Sequence, residues 1–302
     1  MGERKLQWEE VEGVRNRNVE LIRSRHWGKN LFEGVFGKDL VIHLKYLRAW
    51  PKLREQARLQ NLPHKQVQDC ESLAIVTIGT SRYVEYFPKF YESLKRSFLP
   101  NTKKHFFMFT DRVDYPYFKG KEDVTPVKIE HGNTTLITLF RFKFVYSIKD
   151  KLSKFSHVLY IDSDSFATDV LTTEADFFCH EKPLFAVAHP GFLNAKHQVE
   201  RNPLSTAALP EGVDLDVYRQ CSFWGGKSGE LLEMCGKIDE NIMIDMSNKI
   251  IAMWLDESHL NKYFLDHRNL VYTYDSGYSF HGGWVRRWPV IKGYKVRIIH
   301  KK

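Results

Sequence analysis

The sequence predicts an α/β protein: one mainly parallel, twisted sheet with helices on its faces. Short apolar runs bounded by polar or turn residues recur along the chain, and such runs read as strands buried in a parallel sheet. Between them lie segments with apolar residues at helical spacing, and alternating strands and helices argue for βαβ units. The third observation is HVLYIDSDSFA, residues 157–167, in which Val158, Leu159, Tyr160 and Ile161 lead into Asp162-Ser163-Asp164. It sets two carboxylates at the carboxyl end of a strand, where parallel sheets bind their ligands.

Taken in order, residues 1–25 are charged and weakly helical. Residues 26–50 carry Trp27, Phe32, Val35 and Phe36 close to glycines, as in a segment wrapped on a larger body. KLREQARLQNLPHKQ (52–66) reads as a polar connection. The expected division is therefore an N-terminal segment over 1–65 and one domain over 66–302. SLAIVTIG (72–79) reads as a buried strand ending in glycine. Residues 83–98 read as a helix with Tyr83, Phe87, Phe90, Tyr91 and Leu94 roughly on one face. KKHFFMFTD (103–111) and DVTPVKIEH (123–131) are expected strands, and 136–153 an expected helix. HVLYID and PLFAVA (183–188) follow as strands. Residues 193–220 are polar and loop-rich, CSFWGG (221–226) is a short strand, and 228–246 and 256–265 are helices. No internal repeat or low-complexity segment is visible.

At 302 residues, 43% hydrophobic and 14% aromatic, the chain can bury a large core. The net charge of +8 is scattered, through Arg15, Arg17, Arg23, Arg25, Lys45, Arg48, Lys52 and Arg54 and the terminal Lys301-Lys302. It forms no nucleic-acid motif, and it suits a polyanionic nucleotide or weak membrane contact as well as it suits nucleic acid. Cys70, Cys179, Cys221 and Cys235 show no C-x-x-C spacing, which argues against zinc and against a disulfide framework. No run reaches the roughly 18 apolar residues of a membrane span, and no secretory leader is expected from the first residues as they read. The expectation is a soluble protein, cytoplasmic if Met1 is native; the alternative is a Golgi-lumen enzyme whose N-terminal anchor has been removed.

Asp162 and Asp164 flank one small residue, so both can approach a single point. Such oxygen ligands suit Mn²⁺ or Mg²⁺ clamping a diphosphate; a capped polar turn is the other reading. In WLDESHLNKYF (254–264), a helix would put Trp254, Glu257, Ser258 and Asn261 on one face, with Leu260 and Phe264 beside them and Asp256 as N-cap. An amphipathic surface helix would show the same pattern. FWGG (223–226) is either a buried aromatic pair or a backbone that passes close to a sugar. HPGF (189–192) places His189 at a strand end, facing a ligand or only a turn.

Taken together and in order, HW…LFEGVF, TIGTSRY, FMFTD, YIDSD, HPGF, ERNPLSTAALP, FWGG and WLDESHLNKYFL resemble the glycosyltransferases that include the histo-blood-group A and B transferases and α1,3-galactosyltransferase. The resemblance runs from about Trp27 to the C-terminus. It implies a GT-A fold, a Rossmann-like sheet with donor and acceptor halves fused. It implies retaining α1,3 transfer of galactose or N-acetylgalactosamine from a UDP-sugar to a glycan or glycolipid, with Mn²⁺ or Mg²⁺. By that resemblance Asp162 and Asp164 hold the metal on the donor diphosphate. Ile78, Gly79 and Tyr83 meet the nucleoside, and Arg141 contacts the donor. His189 and Trp254 serve the acceptor, Asp256 binds sugar hydroxyls, and Glu257 faces the anomeric carbon as nucleophile or ion-pair stabiliser.

Three departures stand out. Only Lys301 remains of the basic tail that the family closes over UDP. The loop between Phe192 and Pro203 is short. The stretch that tunes donor choice reads Arg219-Gln220-Cys221-Ser222. Ser222 is larger than glycine and favours UDP-galactose; Gln220 can instead hydrogen-bond an acetamido group and reverse the preference. An inactive relative that binds sugar nucleotides without turnover is the competing reading.

Overall fold

Alternate residues of the first strand serve two cores. Ala74, Val76 and Ile78 pack with residues of the helices after 134, 228 and 256, while Leu73 and Ile75 pack with Phe87, Phe90 and Leu94 on the other face. The computed structural model describes residues 38–132, 134–193, 199–287 and 292–300. Its strands are β1 (Ser72–Ile78), β2 (Lys103–Thr110), β3 (Val124–Lys128), β4 (His157–Ile161), β5 (Ser165–Ala167), β6 (Leu184–Ala188), β7 (Arg219–Lys227), β8 (Val271–Tyr274), β9 (Phe280–His281) and β10 (Ile298–His300). Seven form one sheet in the order β3-β2-β1-β4-β7-β6-β8. Only β7 runs against the rest, pairing antiparallel with β4 and β6. The α/β class and the mainly parallel sheet are those the sequence predicts.

The helices are α1 (Lys38–Leu59), α2 (Phe87–Ser97), α3 (Thr134–Leu139), α4 (Arg141–Ser147), α5 (Ser228–Ser247) and α6 (Asp256–Asp266), with shorter turns at Lys149–Leu152, Glu174–Phe177 and Gly282–Arg287. The expected helix over 136–153 is thus three pieces. Phe140 and Ile148 leave helical backbone angles (ψ 13° and 25°), and the break lets Arg141 begin a new helix with its side chain turned inward. The expected polar connection at 52–66 is helical as far as Leu59. Its polarity hides a stripe, Tyr46, Ala49, Leu53 and Ala57, which packs on Phe280, Trp284, Tyr294 and Val296. Residues 1–37, with Trp27, Phe32, Val35 and Phe36, lie outside the described residues.

A second sheet, β5-β10-β9, escaped the sequence reading. Its strands are two or three residues long and carry no apolar run of useful length. It matters because β10 brings His300 opposite Ser165, directly after the Asp162-Ser163-Asp164 turn.

The glycines of FWGG serve the sheet. A Cβ on Gly225 would sit 2.5 Å from the Val158 carbonyl oxygen and 2.6 Å from the Phe185 ring, and one on Gly226 would strike the Pro183 carbonyl. Close strand packing therefore accounts for both glycines, in place of the sugar contact considered from sequence.

Candidate active site

Asp162 and Asp164 leave the end of β4 as expected, and a third group joins them. His300 Nε2 lies 3.2 Å from Asp162 Oδ2 and 3.4 Å from Asp164 Oδ1. One ligand atom from each of the three residues falls within 4.8 Å of the others. The aspartate side chains remain about a fifth exposed, so the cluster can be reached from outside. Burial opposes charge on Asp162, but the Arg141 guanidinium, the His300 hydrogen bond and the Tyr160 hydroxyl outweigh it and hold the carboxyl well below its usual range. Tyr160 Oη donates to Asp162 Oδ1 at 2.9 Å. Burial likewise opposes charge on His300, and its bonds to the two carboxylates raise its pKa over that opposition. Two carboxylates and an imidazole are a donor set that fits a divalent first-row ion.

Arg141 is the hub of the site. It is 7% exposed, with Nη1 3.5 Å from Asp162 Oδ1 and Nε 3.0 Å from Asp256 Oδ2. It also donates to the Cys221 carbonyl. Asp256 is 1% exposed and spent on this pair, so it is not the N-cap expected from sequence. Leu255 occupies the cap position with φ 54°, a left-handed value rare for a branched side chain. That turn is held from outside: Glu200 Oε2 accepts from Met253 N at 2.6 Å, and Trp254 N donates to Ser258 Oγ at 3.0 Å.

Glu257 emerges from the first turn of α6 toward β7. Its Oε2 accepts from Cys221 N at 2.9 Å, and the Tyr218 hydroxyl lies beside it. Burial raises its pKa to about 7, against the lowering effect of those two groups. The next residue of β7 completes the arrangement, because the Ser222 carbonyl accepts from Asp162 N at 3.1 Å. Two consecutive residues, Cys221 and Ser222, therefore stand between the metal-type cluster and Glu257. The pairing of β6 with β7 slips just here: Ala186 faces Trp224, while Val187 faces Gln220. Such bulges re-aim side chains beside active sites.

A cavity of about 470 Å³ opens beside the cluster, lined by Ile78, Gly79, Tyr83, Arg141, Asp162 and Asp164 together with Thr80 and His131. Six of the residues expected from sequence to meet a nucleotide donor thus share one cavity. Gly79 fits closely there, since a Cβ would lie 2.6 Å from Met108 Cε and 3.1 Å from both Ser163 Oγ and the Tyr83 carbonyl oxygen. Gln220 and Ser222 do not line it; they are buried against Ser279. His189 packs on Phe192 and Tyr218, with ring centroids 4.8 and 5.8 Å apart, and Trp254 packs with Tyr218 and Phe192 in a small cluster. Tyr218 links that aromatic group to Glu257. Lys301 lies outside the described residues. A larger cavity of about 620 Å³ lies between α1 and β8; it holds none of the carboxylates of the cluster, and we place the chemistry at the smaller one.

Comparison with known proteins agrees with this geometry. Residues 59–276 match glycosyltransferase family 6, and the chain belongs to that family. It is a glycosyltransferase. It is 30% identical over 204 residues to the O-antigen biosynthesis glycosyltransferase WbnI of Escherichia coli, covering 65% of this chain and 83% of that protein. It is 26% identical over 263 residues to histo-blood group ABO system transferase 1 of Rattus norvegicus, covering 83% and 67%. It is 25% identical over 209 residues to globoside alpha-1,3-N-acetylgalactosaminyltransferase 1 of Gallus gallus, covering 65% and 58%. Among the described residues no helix is long and apolar enough to cross a membrane.

Proposed function

We propose that the chain transfers galactose or N-acetylgalactosamine from a UDP-sugar to the 3-hydroxyl of an acceptor glycan, in α linkage with retention, and that it requires a divalent metal, Mn²⁺ or Mg²⁺. One observation carries this reading: a three-ligand cluster and a half-buried Glu257 are set on either side of the Cys221-Ser222 backbone, beside a cavity of nucleotide size. The relatives named for N-acetylgalactosamine transfer in α1,3 linkage, for the ABO system and for O-antigen synthesis support the substrate class.

In this reading Asp162, Asp164 and His300 hold the ion, which when bound neutralises the diphosphate as it departs. Ile78, Gly79 and Tyr83 line the nucleoside end of the cavity. Arg141 locks Asp162 and Asp256 in place and adds positive charge beneath the cluster. Glu257, held by Cys221 N–H beside the Tyr218 hydroxyl, faces the anomeric carbon, where an ionised carboxylate favours the oxocarbenium-like transition state. His189 and Trp254 form the acceptor wall. Residues 66–302 form the catalytic body, onto which part of the 1–65 segment packs through α1.

A panel of UDP-sugars and oligosaccharide acceptors, with product linkage read by NMR, tests this function. Transfer of a hexose in α1,3 linkage supports it; a β-linked product, or transfer only from a non-uridine donor, overturns it.

A further inference from the structure

Resting on that reading of the donor site, we propose that Ser279 is a specificity-determining residue: it closes the subsite for the 2-substituent of the donor sugar by clamping Gln220 and Ser222 together. A sugar bonded to a diphosphate at Asp162 and facing Glu257 must lie along residues 220–222. The strand's backbone bonds both residues: Ser222 O accepts from the Asp162 main-chain N–H, and Cys221 N–H donates to the Glu257 carboxylate. Cys221 turns its thiol into the core on one face. Gln220 and Ser222 turn to the other, and both end on the same residue. Gln220 Nε2 donates to the Ser279 carbonyl at 2.7 Å, and the Ser222 and Ser279 hydroxyls share a hydrogen bond of 2.9 Å. All three are at most 5% exposed, and the donor cavity stops short of them.

The clamp has two consequences for recognition. It commits one amide proton of Gln220 and the hydroxyl of Ser222 to the protein, so neither is idle when the donor arrives. It also fills the space beside Ser222, where an acetamido group would need room. A 2-hydroxyl fits the closed clamp, and an acetamido group requires it to open. Ser279 leads straight into β9, which pairs with β10 at His281 and His300, so the clamp is built on the same small sheet that delivers the third cluster ligand.

The test is the ratio of kcat/KM for UDP-N-acetylgalactosamine to that for UDP-galactose, measured with one acceptor. The ratio is insensitive to the fraction of folded enzyme, so a merely structural role does not move it. Ser279→Ala removes the hydroxyl and keeps the carbonyl that Gln220 uses. We expect the ratio to rise about threefold to tenfold, the size of one lost hydrogen bond and one small steric change. Ser279→Cys, close in shape but a weak hydrogen-bonding partner, is expected to shift it in the same direction by less. A ratio unchanged in both variants, while Ser222→Gly shifts it, overturns the role of Ser279 and leaves the donor reading standing. If Gln220→Ala and Ser222→Gly also leave the ratio unchanged, the donor reading of this strand falls with it.

Discussion

Replacing His300 by alanine tests the feature that sequence reading did not supply. The imidazole is buried, 3.2 and 3.4 Å from the two aspartates, and is one of three groups whose donor atoms fall within 4.8 Å. Groups that merely orient metal ligands are worth about tenfold to 100-fold in metal affinity. A direct ligand belongs at the upper end, so the substitution is expected to weaken Mn²⁺ binding about 100-fold, or about 2.7 kcal/mol. The loss is not an indirect effect on Asp162, because Arg141 remains 3.5 Å away and keeps that carboxylate ionised. Calorimetric titration with Mn²⁺ alone measures the affinity, and the half-saturating Mn²⁺ for UDP-galactose hydrolysis measures its consequence. High metal concentration should restore much of the activity. A folded His300→Ala protein whose Mn²⁺ affinity stays within threefold of the parent refutes the three-ligand site.

The other expectations concern the same machinery. Asp162→Ala and Asp164→Ala should abolish transfer and metal-dependent UDP binding with the fold retained, as circular dichroism can check, since the diphosphate charge is then uncompensated; near-normal activity of either in EDTA would disprove the metal role. Glu257→Gln should lower kcat roughly 100-fold with little change in donor affinity, and a kcat within threefold of the parent would contradict charge stabilisation. Because burial lifts Glu257 to about 7, kcat/KM of the parent should fall as pH drops below that value, when the carboxylate is protonated. The linked stability has the opposite sense. A raised folded pKa favours the protonated folded state, so this contribution is full at pH below the unfolded value of 4.5 and is lost as pH rises toward about 7. Glu257→Gln should flatten both profiles. In the wild type, the closed Gln220-Ser222-Ser279 clamp leads us to expect UDP-galactose to be preferred, and a clear preference for UDP-N-acetylgalactosamine in kcat/KM would mean that the clamp opens at little cost.

The strands that build the site were legible because each buries a continuous run on both faces, as Leu73–Ile78 and Val158–Ile161 do. The ends of the site were not. His300 lies 136 positions beyond Asp164, on a three-residue strand whose pairing depends on a tertiary contact and not on any local pattern. The break at Phe140 has no glycine or proline to mark it, yet it is what sends Arg141 inward. Asp256 sits where an N-cap is expected, and only the buried guanidinium beside it shows why it pairs instead. Polarity at 52–59 masked the three- and four-residue spacing of Tyr46, Ala49, Leu53 and Ala57 in α1, because their partners Phe280, Trp284 and Tyr294 lie more than 200 residues on. Local chemistry was readable, and side chains whose purpose is supplied by a distant partner were not.

The most direct test of the central claim is UDP release from UDP-galactose by the wild-type chain with Mn²⁺, then with EDTA, then with Mn²⁺ restored. If Asp162, Asp164 and His300 hold the ion that neutralises the leaving diphosphate, release proceeds with metal, stops in EDTA and returns on re-addition. Release at the same rate in EDTA, or none from any UDP-sugar under metal-replete conditions, would contradict the account.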